Sequence, residues 1–329
     1  MYLYIGTSFE FIKRNKLDMK YPRLQSTQMT KQGIPCGNKK IIKSNMKTIK
    51  HIALITTAVM ATLALCSAGH YISTQNKLEQ ILQQPDNVVL KELPFKQNDA
   101  FKAGEILSYK LHYGIIDAGI ATLEVKPDVI DVSGRQVYHI VGNGYSRGTF
   151  DWFFKVRDRY ETFIDKNALL PWMFVRRVYE GGVVINQDYT FNHYTNKVDV
   201  GAGEKIDIPE GTQDMISAFY SARNLDLSNA KEGDVFQINS IVDKEIWPMK
   251  IRYVGKDEIK TEIGKFKCLK FRPIVQKGRI FKHEDDLNVW ISDDKNHVPL
   301  RAQAKLLIGS VKLDIISANN LANATSEVK

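Results

Sequence analysis

The chain has 329 residues, 43% of them hydrophobic and 25% charged, with a formal net charge of +9. That is enough apolar chain to bury a core, which excludes disorder over the whole length. Residues 1–68 hold 11 of the 46 Lys and Arg and 2 of the 37 Asp and Glu, leaving 35 of each sign from Gly69 onward. A neutral remainder excludes the basic stripe of a nucleic-acid-binding surface, and no nucleic-acid partner is expected.

Residues 1–45 show neither a 3.6-residue nor a 2-residue apolar period and are rich in Lys and Asn. They read as a disordered leader or a mis-assigned start, with Met46 as the true initiator. Residues 46–68 have the three parts of a signal peptide. Lys47, Lys50 and His51 form a basic start, Ile52 to Leu65 is free of charge, and Cys66-Ser67-Ala68 supplies small residues for cleavage after Ala68. Fourteen helical residues reach about 21 Å, short of a bilayer core of about 30 Å. The expected location is the periplasm. The alternatives are a signal anchor in the inner membrane, or a lipid anchor at Cys66, which Leu65 disfavours because that processing needs a small residue before the cysteine. After cleavage only Cys268 of the three cysteines remains, so no intramolecular disulfide is available. In "GKFKCLKF" it reads as a buried small hydrophobe.

Residues 69–100 form a polar lead-in with one short helix expected over Thr74–Gln83. From 101 to 317 the pattern is alternation. Leu107, Tyr109, Leu111 and Tyr113 point one way, Ser108, Lys110 and His112 the other, and Ala121, Leu123 and Val125 alternate after a turn at Asp117–Gly119. Such a hairpin, dry on one face and wet on the other, marks an antiparallel sheet. Similar runs follow at 135–145, 157–165, 172–181, 183–192, 234–243, 249–254, 257–263, 266–275, 287–292, 298–306 and 310–316. One short helix is expected, with Thr212 as N-cap and Met215, Ile216, Phe219 and Tyr220 on one face. The fold class is therefore mostly β: an antiparallel curved sheet, half-barrel or sandwich-like, followed by a disordered tail at 318–329.

The β region repeats itself. "KAGEILSYKL" (102–111) echoes "KEGDVFQINS" (231–240), "SGRQVYHIV" (133–141) echoes "IGKFKCLKF" (263–271), and "YETFIDKNALLPWMF" (160–174) echoes "LNVWISDDKNHVPLRA" (287–302). The spacing is 128–130 residues throughout, with Gly104 matching Gly233 and Pro171 matching Pro299. Two related halves, about 101–200 and 231–317, are expected; shared turn grammar is the alternative source of the echo.

"GEILSYKLHYGIIDAGIATLEV", "FKVRDRYETFID" and "IGKFKCLKFRP…LNVWISDDKNHVPLR" resemble the bacterial family called domain of unknown function 3108, over about residues 101–317. The resemblance implies an exported protein of a Gram-negative envelope with an antiparallel β fold. The family has no established activity, so it transfers no functional residues.

Motifs that carry chemistry are missing. "GNGYSRG" (142–148) and "GAGEK" (201–205) lack the spacing of dinucleotide or phosphate loops and read as β turns, and there is no Gly-x-Ser-x-Gly and no His-Glu-x-x-His. In "KHEDD" (282–286) adjacent strand residues would face opposite ways, so a solvated loop is expected rather than a metal site. Asp165 and Asp293-Asp294 sit in the repeated turns, where they satisfy backbone donors. No catalytic residue, metal or cofactor is expected. What remains is "TFDWFFK" (149–155). Phe150, Trp152, Phe153 and Phe154 exceed what alternation buries on one face, with Trp152 and Phe154 expected on one side and Phe153 on the other. They form either a plug closing one end of the sheet or an apolar gate for a ligand.

The expected function is non-catalytic binding of an apolar or amphipathic envelope molecule, with a lipid or lipidated envelope component as partner and membrane contact only through the signal segment before cleavage. The fold analogy behind it is general. The alternatives are an envelope-polymer-modifying enzyme, with acid and base drawn from scattered Asp, Glu and His, and a structural partner in an envelope assembly.

Overall fold

The structure, a computed structural model, describes residues 92–132, 134–274, 286–306 and 309–328. The expectations for residues 1–45, the signal at 46–68, the Thr74–Gln83 helix and His283–Asp285 lie outside the described residues. The elements run β1 (Ile106–Tyr113), β2 (Ile116–Val125), β3 (Ile130–Val132), β4 (Arg135–Ser146), α1 (Gly148–Phe153), β5 (Val156–Asp165), β6 (Pro171–Glu180), β7 (Val183–Asn192), β8 (Lys197–Asp199) and β9 (Lys205–Asp207). They continue with α2 (Met215–Arg223), β10 (Val235–Val242), β11 (Glu245–Thr261), β12 (Gly264–Pro273), β13 (Leu287–Ser292), β14 (Pro299–Lys305) and β15 (Ser310–Asn319).

All strands join one antiparallel curved sheet, in the order β10-β11-β12-β13-β14-β15-β1-β2-β4-β5-β6-β7-β8-β9, with β3 paired to β4. It consists of two meanders in which the later half precedes the earlier one, joined where β15 pairs with β1. The strands of the two meanders correspond in order, β1-β2-β4-β5-β6-β7 to β10 through β15. Before β1, Gly104 donates to Val125 O and Val125 to Glu105 O, each 2.9 Å. Before β10, Gly233 donates to Tyr253 O and Tyr253 to Asp234 O at the same distance. Both glycines have positive φ, +83° and +96°, which a side chain would resist. At the other end, Ile164 pairs with Pro171 after a bulge, and Ile291 with Pro299 after another. Leu169 and His297, two residues before each proline, are both left-handed.

Four sequence expectations are corrected. The runs at 249–254 and 257–263 are one strand, β11, whose bulge at Tyr253/Gly255 breaks the alternation. A second helix, α1, is present, and the N-cap of α2 is Asp214, not Thr212. The carboxylate of Asp214 accepts from the backbone of Ile216 and Ser217 at 2.8 Å, while Thr212 donates to Pro209 O. A cap must immediately precede the first helical residue, and that residue is Met215. The tail is ordered through residue 328, where an unpatterned polar run finds its bonds on another loop. Asn296 in the β13–β14 turn bonds Asn323 and Ala324, Asp294 accepts from Ser326 N at 2.7 Å, and Glu327 bridges to Phe266.

The two ends of the sheet meet through side chains rather than a ladder. Ile241 of β10 packs with Tyr189, Phe191 and Val198, Arg176 bonds Asp243 at 2.8 Å, and Tyr189 Oη accepts from Lys244 N at 3.0 Å. Gln213 takes the free edge of β10, donating to Asn239 O and accepting from Ile241 N. Helix α2 lies against β5 and β10, and its buried Arg223 is gripped by Glu105 at 2.5 and 2.8 Å. The same guanidinium donates to Ala100 O and Asn296 O, both 2.9 Å, and faces the rings of Phe101 and Tyr220.

A second buried polar group sits between β5 and β6. Asp158 and Glu180, 4% and 5% exposed, are in hydrogen-bonding contact beside Arg176, which lies over the Tyr160 ring. Burial first, and the Glu180 charge second, push the Asp158 carboxyl up to about 8.

Two stability predictions follow from these groups. Glu105→Gln leaves Arg223 buried without its counter-charge and should cost about 3–5 kcal/mol in urea unfolding; a loss under about 1 kcal/mol would show that the guanidinium is solvated after all. For Asp158, the folded state keeps its proton to about pH 8 while an unfolded aspartate releases it near 3.8. The native state then binds the extra proton, so this group's stabilisation is complete below about pH 4 and is lost as pH rises toward about 8. Urea midpoints measured across that window should decline less steeply in Asp158→Asn than in the parent, and equal slopes would contradict the assignment.

Candidate functional site

The aromatic stretch 149–155 is built on a turn of helix, not a strand. Gly148, at φ +59°, redirects the chain after β4, and one helical turn closes with Phe154 N donating to Phe150 O at 2.9 Å. Ser146 and Arg157 fasten it from both sides. Ser146 Oγ donates to Asp151 Oδ1 at 2.5 Å and accepts from Val156 N at 2.8 Å, and Arg157 donates to both Asp151 oxygens. Arg157, then Ser146, hold the Asp151 carboxyl below the usual carboxylate range.

Helical geometry overturns the expected sidedness. Residues four apart share a helix face, whereas residues two apart do not. Phe150 and Phe154 therefore turn inward together, rings 6.1 Å apart, with Phe150 also 6.4 Å from Tyr113. Phe154 is 8% exposed and Trp152 is 91% exposed. The Phe153 side chain lies outside the described residues. Of the four aromatics, then, Phe150 and Phe154 anchor the segment and Trp152 stands out in solvent.

Trp152 has apolar company that strand alternation did not reveal. Ile115 and Ile116 at the β1–β2 turn and Val183 and Val184 at the start of β7 are also exposed. A sequence signal existed in the side-by-side apolar pairs within "GII" (114–116) and "GGVV" (181–184), at turns where polar residues are usual.

Other candidates carry less. At the opposite edge a pocket of about 290 Å3, lined by Ile263, Phe266, Val298, Leu300, Leu321 and Glu327 among others, sits under the tail at the lower limit for ligand sites. Asp158 and Glu180 do converge, a pairing the sequence did not indicate. Acid–base catalysis needs reach to a substrate, and both side chains are sealed in the wall between β5 and β6. Cys268 is fully buried, and burial pushes its thiol up to about 12. Among the described residues no cluster of three His, Cys, Asp or Glu is placed to hold a metal ion, and no helix is long and apolar enough to cross a membrane.

Comparison with solved structures finds likenesses at low identity. A β-barrel-like protein of domain of unknown function 1849 from Brucella abortus is 11% identical, with a TM-score of 0.44, covering 67% of this chain and 99% of that one. The hypothetical protein CT021 from Chlamydia trachomatis is 9% identical, with a TM-score of 0.30, covering 69% and 91%. At these values neither carries an argument about activity. Comparison with curated proteins finds no match. The sequence profile of the family described as protein of unknown function, DUF3108, matches residues 108–316, from within β1 to within β15, and on that match the chain belongs to the DUF3108 family.

Proposed function

We propose that the protein is a non-catalytic periplasmic β domain that binds an apolar or amphipathic envelope molecule, a lipid or lipidated chain, at the edge of the sheet around Trp152. The observation that carries this reading is the exposure of Trp152 on a segment anchored by two inward phenylalanines. An exposed tryptophan on a fixed support costs apolar hydration and contributes nothing to the core, which favours a gate over a plug at this position. Phe154 has the plug's role. Export is supported by the signal pattern at 46–68, and the buried setting of Asp158 and Glu180 weighs against the polymer-modifying alternative.

Export predicts a mature N-terminus at Gly69 in protein taken from an envelope fraction. Sequencing that instead returned residues 1–45 would remove the exported reading. For the gate, mass spectrometry of the organic extract from detergent-free protein should show bound lipid that Trp152→Ala largely loses. That variant should stay within about 0.5 kcal/mol of the parent, as a surface change does. Phe154→Ala should cost about 3–5 kcal/mol in the same unfolding assay. Undiminished lipid on Trp152→Ala would end the case for this edge as the binding site.

A further inference from the structure

We propose that the edge of the sheet bearing Trp152 is a docking surface for an anionic phospholipid bilayer. The proposal rests on the lipid-binding reading of the same edge, but concerns the membrane face rather than a captured molecule. It also departs from the sequence expectation that membrane contact ends with the signal segment.

Topology makes the edge continuous. In an antiparallel meander alternate connections lie on the same side, which places the β1–β2 turn, the β4–β5 connection and the β6–β7 turn together. Backbone bonds tie each to its neighbours: Gly114 N to Ser310 O at 2.9 Å, Arg147 N to Ala118 O at 3.1 Å, and Gly181 N to Lys155 O at 2.9 Å. Each connection presents apolar side chains to solvent, Ile115 and Ile116, Trp152, and Val183 and Val184. They project from three separate connections, which suits a fluid layer better than a packed protein interface, where a contiguous core patch is usual.

Charge selects the layer. Between positions 147 and 157 there are three basic residues and one acidic, and the acidic one, Asp151, is engaged by Arg157 and Ser146. Arg147 and Lys155 are exposed on either side of Trp152. The chain from Gly69 onward is neutral in sum, so the β4–β5 connection is a local excess, and the acidic residue of the neighbouring β1–β2 turn, Asp117, is paired with His112. Tryptophan settles at the headgroup level of bilayers, and flanking Lys and Arg draw it to anionic lipid. The apolar tips have no counterpart in a purely phosphate-binding surface.

The test uses the full chain with vesicles of phosphatidylcholine alone or mixed with phosphatidylglycerol, the lipids brominated to quench tryptophan. Trp172 and Trp290 are buried, and a Trp152→Phe chain supplies the remaining background. Quenching is expected with the anionic vesicles, little with phosphatidylcholine alone, and a loss of the quenched signal in Trp152→Phe. At about a fivefold effect per basic residue, Arg147→Gln combined with Lys155→Gln should weaken vesicle binding roughly 25-fold. Equal quenching in Trp152→Phe, or unchanged affinity in the double variant, would overturn the proposal by showing that another segment binds. Monomeric lysophosphatidylglycerol separates the two readings. Uptake of the monomer without vesicle docking overturns this proposal and leaves lipid capture standing, and docking without uptake does the reverse.

Discussion

The guanidinium of Arg223 joins three parts of the chain that are distant in sequence: its own helix, the 100–105 segment before β1 and the β13–β14 turn. It holds Glu105 at the threshold of β1, the carbonyl of Ala100 in the lead-in, the carbonyl of Asn296 in the β13–β14 turn, and the ring of Tyr220 on its own helix. Desolvating a guanidinium and a carboxylate is costly, and the bidentate geometry with two further carbonyl acceptors offsets that cost. The core cluster of Phe101, Tyr138 and Tyr220 is arranged around this point. Phe101 lies against Tyr138 and Tyr220, Lys96 N bonds Asn167 O, and His297 Nδ1 meets Arg223 O, so one edge of the curved sheet is filled by α2 and the lead-in.

A sheet with two unpaired end strands needs a reason not to splay. Here the seam between β10 and β7–β9 is closed by an apolar cluster and by Arg176, whose buried guanidinium reaches Asp243 across the gap while lying beside the Asp158–Glu180 pair. Gln213 occupies the hydrogen-bonding edge of β10 that would otherwise be open to another strand. Closure thus depends on polar contacts at two places, Arg176 with Asp243 and Gln213 with the backbone of β10.

The antiparallel class and most strands were legible in the sequence because each half-buried strand shows its two faces in alternation. Legibility failed where the period changed. "TFDWFFK" has too few residues to display a helical period, so alternation paired Trp152 with Phe154 when one turn of helix pairs Phe150 with Phe154. The tail failed for a different reason. Its order comes from Asn296 and Asp294, about 30 residues upstream, and a partner on another loop leaves no mark on the local pattern. The carboxyl pair in the wall was hidden likewise, since Asp158 and Glu180 meet only once β5 and β6 are in register.

The pairing of β1 with β15 carries a kinetic consequence. Ile106 faces Asn319, about 200 residues away, and this ladder lies in the middle of the sheet rather than at its margin. A ribosome delivers β1 long before β15, so until the last strand arrives the first half holds an open edge in β1. High contact order of this kind slows folding and prolongs exposure of an unpaired strand. The central seam can therefore close only once the last strand has been supplied, however early the first half of the sheet has formed.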